Sequence, residues 1–481
     1  MALYQKIAYN VLISLGARVV GTALALFTIG LTTRYLGKEG FGEYSIALAF
    51  LYIFNSLADL GFYNILVREI SKPGTDEREI VSNVFTLRTL SLFLILGLGV
   101  IAGWFFPYSI EVKQSFFLIG ASYFFLSLSQ VLMAVFQKHL RTDKAALAEI
   151  GGRTAQLALT LFFVFFDFGF FSIVWALTLS SFLIFLLNLL FVRKYVKFGF
   201  GFNLNLYGKI LKESFPLAVS GVFILIYFKL DAVLLSLFKP PADVGLYGTA
   251  YKILENLIFI PAMFVGVVMP LLSRFAAAEI DNFKKIFQKS FDILILGGIP
   301  VVAGGLFLSE RIINLIAGRD FLEAAGALNF LLFAVFFIFL GTLFGNSIIA
   351  LSKQKTLIWI YAAAAVFNVG ANLIFIPKYS YLAAAAVTAL TEFLASFLMF
   401  ILIFKFLRWR PSFLIFGKAV FSGAIMAVFV YFSLSLSLPA IIAGGGIVYF
   451  AVLYLIGGIS KEDLKLILEI RSKKQELRIT N

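Results

Sequence analysis

Glu149, Arg153, Gln156 and Thr160 recur at steps of three and four along a stretch otherwise built of Ala, Leu, Gly and Phe. On a helix such residues share one face, and Glu four positions before Arg is the favoured order for pairing. The same spacing returns along the chain. It joins Ser14, Arg18, Gly21, Thr22, Ala25 and Thr28, and then Tyr52, Asn55, Asp59 and Tyr63. It joins Ser220, Tyr227 and Asp231, and also Tyr247, Tyr251, Lys252 and Glu255. Tyr361, Asn368 and Asn372 form a further stripe, as do Thr388, Glu392 and Ser396. Guanidinium and ammonium groups suit an anion, Asn and Tyr suit hydroxyl-rich groups, and carboxylates can carry a proton or a sodium ion. The candidate binding set is therefore Arg18, Asn55, Asp59, Glu149, Arg153, Gln156, Tyr227, Lys229, Lys252, Glu255, Asn368, Asn372 and Glu392. Asp59 and Asp231 are the candidates for ion coupling.

These side chains stand in a very apolar chain. Of 481 residues, 61% are hydrophobic and 17% aromatic, and the mean hydropathy is +0.98. Soluble domains sit near 45–50% apolar, so the chain is read as integral to a membrane. A charged residue at a helix centre costs about 2.5–3.5 kcal/mol in insertion. Several facing lipid would exceed a typical net stability of roughly 5–15 kcal/mol. They must face one another or water.

Each stripe has a plainer alternative. Glu149 with Arg153 can be a pair that fixes helix packing, and small-residue stripes also serve close helix contact. Arg88, Asp292 and Lys418 lie near cytoplasmic ends, where snorkelling accounts for them. Lys229 lies two residues from Asp231, hence on a nearly opposite helix face. The spacing excludes an ion pair between them and leaves Lys229 either snorkelling or in the cavity. Pro216, Pro261, Pro270 and Pro300 are hinges or ordinary membrane-helix prolines.

The elements that must position these residues follow from hydropathy. A hydrocarbon core needs about 20 apolar residues per helix, and about fourteen such runs are present. Turn residues separate them, as in "KPGTDERE" (72–79) and "KPPADVG" (239–245). The net charge of +14 collects in alternate connections, among them Arg68, Lys72, Lys138, Arg141, Arg193, Lys194, Lys284, Lys285, Arg408 and Arg410. By the positive-inside rule these are cytoplasmic, and so are both termini. The first run is read as a retained helix and not a cleaved leader.

An internal repeat is visible. "FGEYSIALAFL" from Phe41 aligns with "VGLYGTAYKIL" from Val244, matching Gly42, Tyr44, Ala47 and Leu51 to Gly245, Tyr247, Ala250 and Leu254. "VIAGWFF" (100–106) parallels "VVAGGLF" (301–307) in the same order, and Asp231 corresponds to Thr28. The expected fold is an all-α integral membrane protein with two six-helix lobes in parallel pseudo-repeat and two C-terminal helices. The lobes span 1–195 and 196–410, the extra helices 411–459 and a cytoplasmic tail 460–481.

Cysteine is absent and the single histidine, His139, falls in a polar connection. Disulfides and Cys-His chemistry are excluded, and a soft-ligand metal site is not expected. His139 is read as a solvated loop residue. The basic balance is explained by membrane topology and not by nucleic acid.

Two stretches resemble a known family. "TTRYLGKEGFGEYSIALAFLYIFNSLADLGFYNILVREI" (32–70) is similar to the polysaccharide exporter or O-antigen flippase family of the multidrug/oligosaccharidyl-lipid/polysaccharide flippase superfamily. Asp231 followed by "VGLYGTAYKILENLIFIPAMFVGVVMPLLSRF" (244–275) resembles its second signature. The resemblance implies a cell-membrane transporter with no cofactor and no catalysis. It implies movement of a polyprenyl-diphosphate-linked oligosaccharide from the cytoplasmic to the outer leaflet by alternating access through a cationic cavity. It also implies coupling to a proton or sodium gradient, a side opening for the lipid tail, and other polysaccharide-assembly proteins as partners alongside membrane lipids. Arg18, Arg153 and Lys252 would hold the diphosphate or acidic sugar. The alternatives are a lipid II flippase, a multidrug/cation antiporter of the same superfamily, and a membrane glycosyltransferase or polymerase. The last would need acidic motifs or long outer loops, which the short outer connections do not offer.

Overall fold

A computed structural model describes the backbone of residues 3–59 and 61–459. Its side chains are described apart from those of 3–15, 64, 215–220, 224, 226, 227, 277 and 278. The expected cytoplasmic tail (460–481) and the side chains of Ser14, Pro216, Ser220 and Tyr227 thus lie outside the described residues.

The described chain is helical, with no β-strand. The helices are α1 (Leu3–Asp59), α2 (Phe62–Ile70), α3 (Glu77–Gly103), α4 (Ile110–Lys138), α5 (Thr142–Phe165), α6 (Phe170–Val192) and α7 (Leu204–Phe238). They continue with α8 (Pro241–Leu257), α9 (Phe259–Ala278), α10 (Ile280–Ala317), α11 (Ala324–Ala350), α12 (Lys355–Leu407), α13 (Leu414–Phe432) and α14 (Leu438–Leu455). Among the described residues, ten helical stretches are long and apolar enough to cross a membrane. The protein is a multi-pass membrane protein of the all-α class. α5 is not among the ten, because its polar stripe lowers the apolar content that such a measure counts.

Local chemistry sets the boundaries. α1 breaks at Gly37, whose φ of 65° and ψ of −175° suit a residue without a Cβ. Asp76, Ser109 and Asn203 cap α3, α4 and α7 by accepting the amides of Glu79, Val112 and Leu206 at 3.1, 3.3 and 3.1 Å. α12 breaks at Ser380, just after Pro377. Pro270 and Pro300 stand inside α9 and α10, which continue through them.

The chain forms two compact units. The first holds residues up to Asn256 together with Ile312–Ala327 and Tyr361–Thr391. In it α1 packs on α3, α4, α5 and α7, while α6 packs on α4 and α5. A cluster including Ala58, Phe62, Leu66, Val84, Leu132 and Phe136 is fully buried. The second unit holds Leu257–Arg311, Leu328–Ile360 and the chain from Glu392 on. There α13 packs on α14, and Phe283, Phe287 and Phe291 form a buried stack along α10.

Gly42 and Gly245, aligned as repeat equivalents, meet where α1 crosses α8. A Cβ on Gly42 would lie 1.8 Å from the carbonyl oxygen of Pro241, and one on Gly245 would lie 2.4 Å from that of Lys38. Both contacts are with backbone, which cannot rotate away. Close by, Arg34 donates to the last carbonyls of α10, those of Asn314, Leu315 and Ile316, at 3.2, 2.7 and 2.8 Å. A cation at a helix C-terminus also answers the helix dipole. Lys38 pairs with Glu323 at 2.8 Å.

Two expectations change. Arg88 does not snorkel: it is 1% exposed, reaches Asp59 at 2.9 Å and donates to the Ala58 carbonyl at 2.6 Å. A buried guanidinium needs a carboxylate, and the end of α1 supplies one. His139 is not simply solvated, since its Nε2 lies 3.0 Å from Glu77, which also takes Lys138 at 2.7 Å.

Overpacking a tight site costs about 1–3 kcal/mol. Gly42→Ala and Gly245→Ala should each lower the thermal midpoint of the purified protein. Gly97→Ala, where an added Cβ meets nothing within 4 Å, should leave it unchanged. Equal midpoints for all three variants would remove the crossing as a packing constraint.

Candidate functional site: a charged cavity in the first unit

A cavity of about 520 Å³ opens among α1, α4, α5, α6 and α8, all within the first unit. Arg18, Glu149, Arg153, Gln156, Lys252 and Glu255 line it. The regular helical steps that singled out these residues in sequence bring them together in space.

The charges form two groups. On α5, Glu149 Oε1 accepts from Arg153 Nε at 3.0 Å and Nη2 at 2.9 Å. Arg18 on α1 places Nη1 3.7 Å from the same oxygen. Gly21 makes room for this, because a Cβ there would stand 3.2 Å from Arg153 Cδ. On α8, Glu255 Oε2 takes Lys252 at 2.8 Å while Oε1 takes Lys229 of α7. The Lys229 ammonium also lies 4.4 Å from the ring centroid of Tyr251 and 5.3 Å from that of Tyr52, within cation–π range.

Lys229 and Asp231 therefore part company, as their spacing required. Asp231 is 1% exposed. Its Oδ2 accepts from the Tyr247 hydroxyl and, at 2.9 Å, from Thr388 Oγ1, and its Oδ1 accepts the Ala232 amide at 2.7 Å. The carboxylate is thus held by hydroxyls and not by the lysine.

The remaining candidates lie elsewhere. Asn55 accepts from Ser127 at 2.5 Å, and Asp59 pairs with Arg88. Asn368 donates to Thr391 at 3.3 Å and accepts from Asn372 at 3.1 Å, with both asparagines fully buried on α12. Glu392 is buried in the second unit. The Tyr227 side chain lies outside the described residues. Among the described residues no cluster of three or more His, Cys, Asp or Glu could hold a metal ion.

The stripes missed part of the wall. Ser122 and Ser129 on α4, Ser181 and Asn188 on α6, and Tyr44 and Tyr123 also line the cavity. Ser122 and Ser181 share a hydrogen bond of 2.7 Å. Each of the two pairs is spaced seven residues apart, which is two helical turns. That period was a usable signal, but on helices as apolar as α4 and α6 it is easily taken for packing.

The family described as polysaccharide biosynthesis protein matches residues 7–276. That is more than half of the chain. The chain belongs to the polysaccharide biosynthesis protein family. A Shigella flexneri relative named as an O-antigen transporter is 24% identical over 397 residues, covering 79% of this chain and 94% of its own. A Haloferax volcanii relative named as a low-salt glycan biosynthesis flippase is 22% identical over 387 residues, covering 78% and 79%. Among solved structures, a lipid II flippase in an inward closed conformation aligns with a TM-score of 0.76 at 18% identity, over 95% of this chain and 99% of that one. The likeness is one of fold. The two relatives and the solved structure are named as a transporter and flippases and not as enzymes, which agrees with the non-catalytic expectation.

Arg88 is buried while the Asp59 side chain is 42% exposed, so losing the carboxylate leaves a buried guanidinium at a cost below the roughly 3–5 kcal/mol of a fully buried pair. Asp59→Asn should therefore reduce the amount of folded protein in the membrane, and Asp59→Asn with Arg88→Met should restore it. Full abundance of the single variant would release Asp59 from a structural role.

Proposed function

We propose that the protein is a flippase that carries a polyprenyl-diphosphate-linked oligosaccharide from the cytoplasmic to the outer leaflet by alternating access, with coupling to a proton or sodium gradient. The chain then crosses the cell membrane fourteen times with both termini cytoplasmic, in lobes 1–195 and 196–410 followed by two helices (411–459). The observation that carries the proposal is the cavity wall. Arg18, Arg153 and Lys252 stand among Ser, Tyr, Asn and Gln side chains in one space, as a diphosphate attached to a glycan requires. Membership of the family and the glycan-linked names of the two relatives support the same substrate class. The lipid tail remains in the bilayer.

Arg18 and Arg153 hold the anion, Gln156 and the hydroxyls face the sugar, and Asp231 carries the coupling ion. A cation exporter is disfavoured because the positive groups outnumber the carboxylates in the wall. A lipid II flippase is separated by substrate: it restores cell-wall synthesis in a strain lacking its own flippase, whereas a glycan flippase does not.

The test is a deletion strain with the gene returned. Lipid-linked oligosaccharide should accumulate on the cytoplasmic face of the deletion, and wild type should relieve it. Arg18→Ala and Arg153→Ala should each reduce transport by at least tenfold at unchanged membrane abundance. Wild-type transport by both variants would remove the cavity from the mechanism.

Asp231→Asn should weaken the dependence of transport on pH or sodium more than it weakens substrate binding. An unchanged ion dependence in the variant would refute that role.

A further inference from the structure

Each carboxylate of the cavity wall is shared by two cations, and within each group the two cations are held differently. Arg153 grips Glu149 with two donors from the same helix, at 2.9 and 3.0 Å, whereas Arg18 stands off at 3.7 Å. Lys229 is held by Glu255 and by the faces of Tyr251 and Tyr52, and its side chain is 17% exposed. Lys252 shares the other oxygen of Glu255, and its side chain is 37% exposed, as is that of Arg18. Within each group one cation is the more exposed, Arg18 at 37% against Arg153 at 29% and Lys252 at 37% against Lys229 at 17%. Each group also carries one positive charge more than its carboxylate cancels.

Bare cations at these four positions would carry a heavy desolvation cost. They would also hold a polyanion too firmly to release it. Transport needs a site favourable enough to enter and weak enough to leave. A shared carboxylate meets both needs: it neutralises part of the charge in the empty cavity and competes with the ligand in the filled one.

We propose that Glu149 and Glu255 are built-in counter-anions that the anionic group of the substrate displaces. Arg18, Arg153 and Lys252 face the ligand, while Arg153 and Lys229 also retain the glutamates as positioning residues. This rests on the reading of the cavity as an anion site and narrows it. One surplus positive charge in each of two groups matches a doubly esterified diphosphate, which bears one negative charge on each phosphate. A monophosphate ester carries about −1.5 to −2 charge at pH 7 but on a single phosphate, and so engages only one group.

The experiment measures binding of two soluble probes to the purified full-length protein by calorimetry. The probes are citronellyl-diphosphate-N-acetylglucosamine and citronellyl monophosphate. Wild type should prefer the diphosphate. Glu149→Gln and Glu255→Gln should each tighten diphosphate binding about tenfold, equivalent to about 1.4 kcal/mol. They should also slow flipping in vesicles, with KM and kcat falling together. Lys252→Gln should weaken binding at least tenfold. Since Glu255→Gln leaves Lys229 without its carboxylate, Lys229→Met with Glu255→Gln is measured beside it. That pair removes both charges, and the tightening at Lys252 should persist. Glutamate variants that bind no tighter than wild type overturn the counter-anion role while leaving the anion site standing. Equal wild-type affinity for the two probes overturns the match to two phosphates. A wild type that binds neither probe removes the anion-site reading itself, and this inference with it.

Discussion

Hydrocarbon offers a charge nothing to bind, and that constraint shapes the first unit of this protein. The insertion cost of a single lysine or aspartate is a sizeable part of a fold's net stability. Charges of the first unit accordingly take partners. Arg88 has Asp59, Arg153 has Glu149, and Lys229 has Glu255. Asp231, with no cation bound to it among the described residues, is satisfied by two hydroxyls and an amide. Pairing of this kind draws specific helices together, because Arg88 with Asp59 and Lys229 with Glu255 each join two different helices. The polar stripes therefore act both as walls of a cavity and as the contacts that orient α1, α5, α7 and α8.

Close packing is the second requirement, and here glycine decides. Gly42 and Gly245 let backbone approach backbone where α1 crosses α8, and Gly21 lets the Arg153 side chain lie against α1. At Gly152 an added Cβ would fall 2.1 Å from Ile184, so α5 and α6 also depend on a missing side chain. Without such contacts the cations and carboxylates could not come within pairing distance. In a membrane, where apolar burial does not favour protein over lipid, van der Waals packing of small residues supplies much of the association.

Much of the candidate cavity's wall was legible because a helix has one period. Steps of three and four place Arg18 on one stripe and Glu149, Arg153 and Gln156 on another, and the cavity receives both. The two-residue spacing of Lys229 and Asp231 excluded an ion pair, and the two residues do take different partners. What stayed hidden involves partners far apart in sequence. Asp59 reads as cavity-lining on its own stripe, yet it meets Arg88 from the next long helix. Asn368 and Asn372 read as glycan ligands, yet they bond to each other and to Thr391. The serines of α4 and α6 were overlooked because a hydroxyl in an apolar helix gives no sign of which neighbour it will meet.

Composition and periodicity alone determined that this is an all-helical membrane protein with charged faces turned from lipid. These properties depend on the solvent and on the geometry of a single helix. The family resemblance of 32–70 and 244–275 likewise lies in the order of residues. Tertiary structure decided which charge pairs with which, and so which polar stripes meet around one space and which close on themselves. It also showed that each cavity carboxylate serves two cations, one more exposed than the other. No sequence spacing encodes that arrangement, because the energy of a buried charge depends on the atoms that replace its water, and helices distant in the chain supply them.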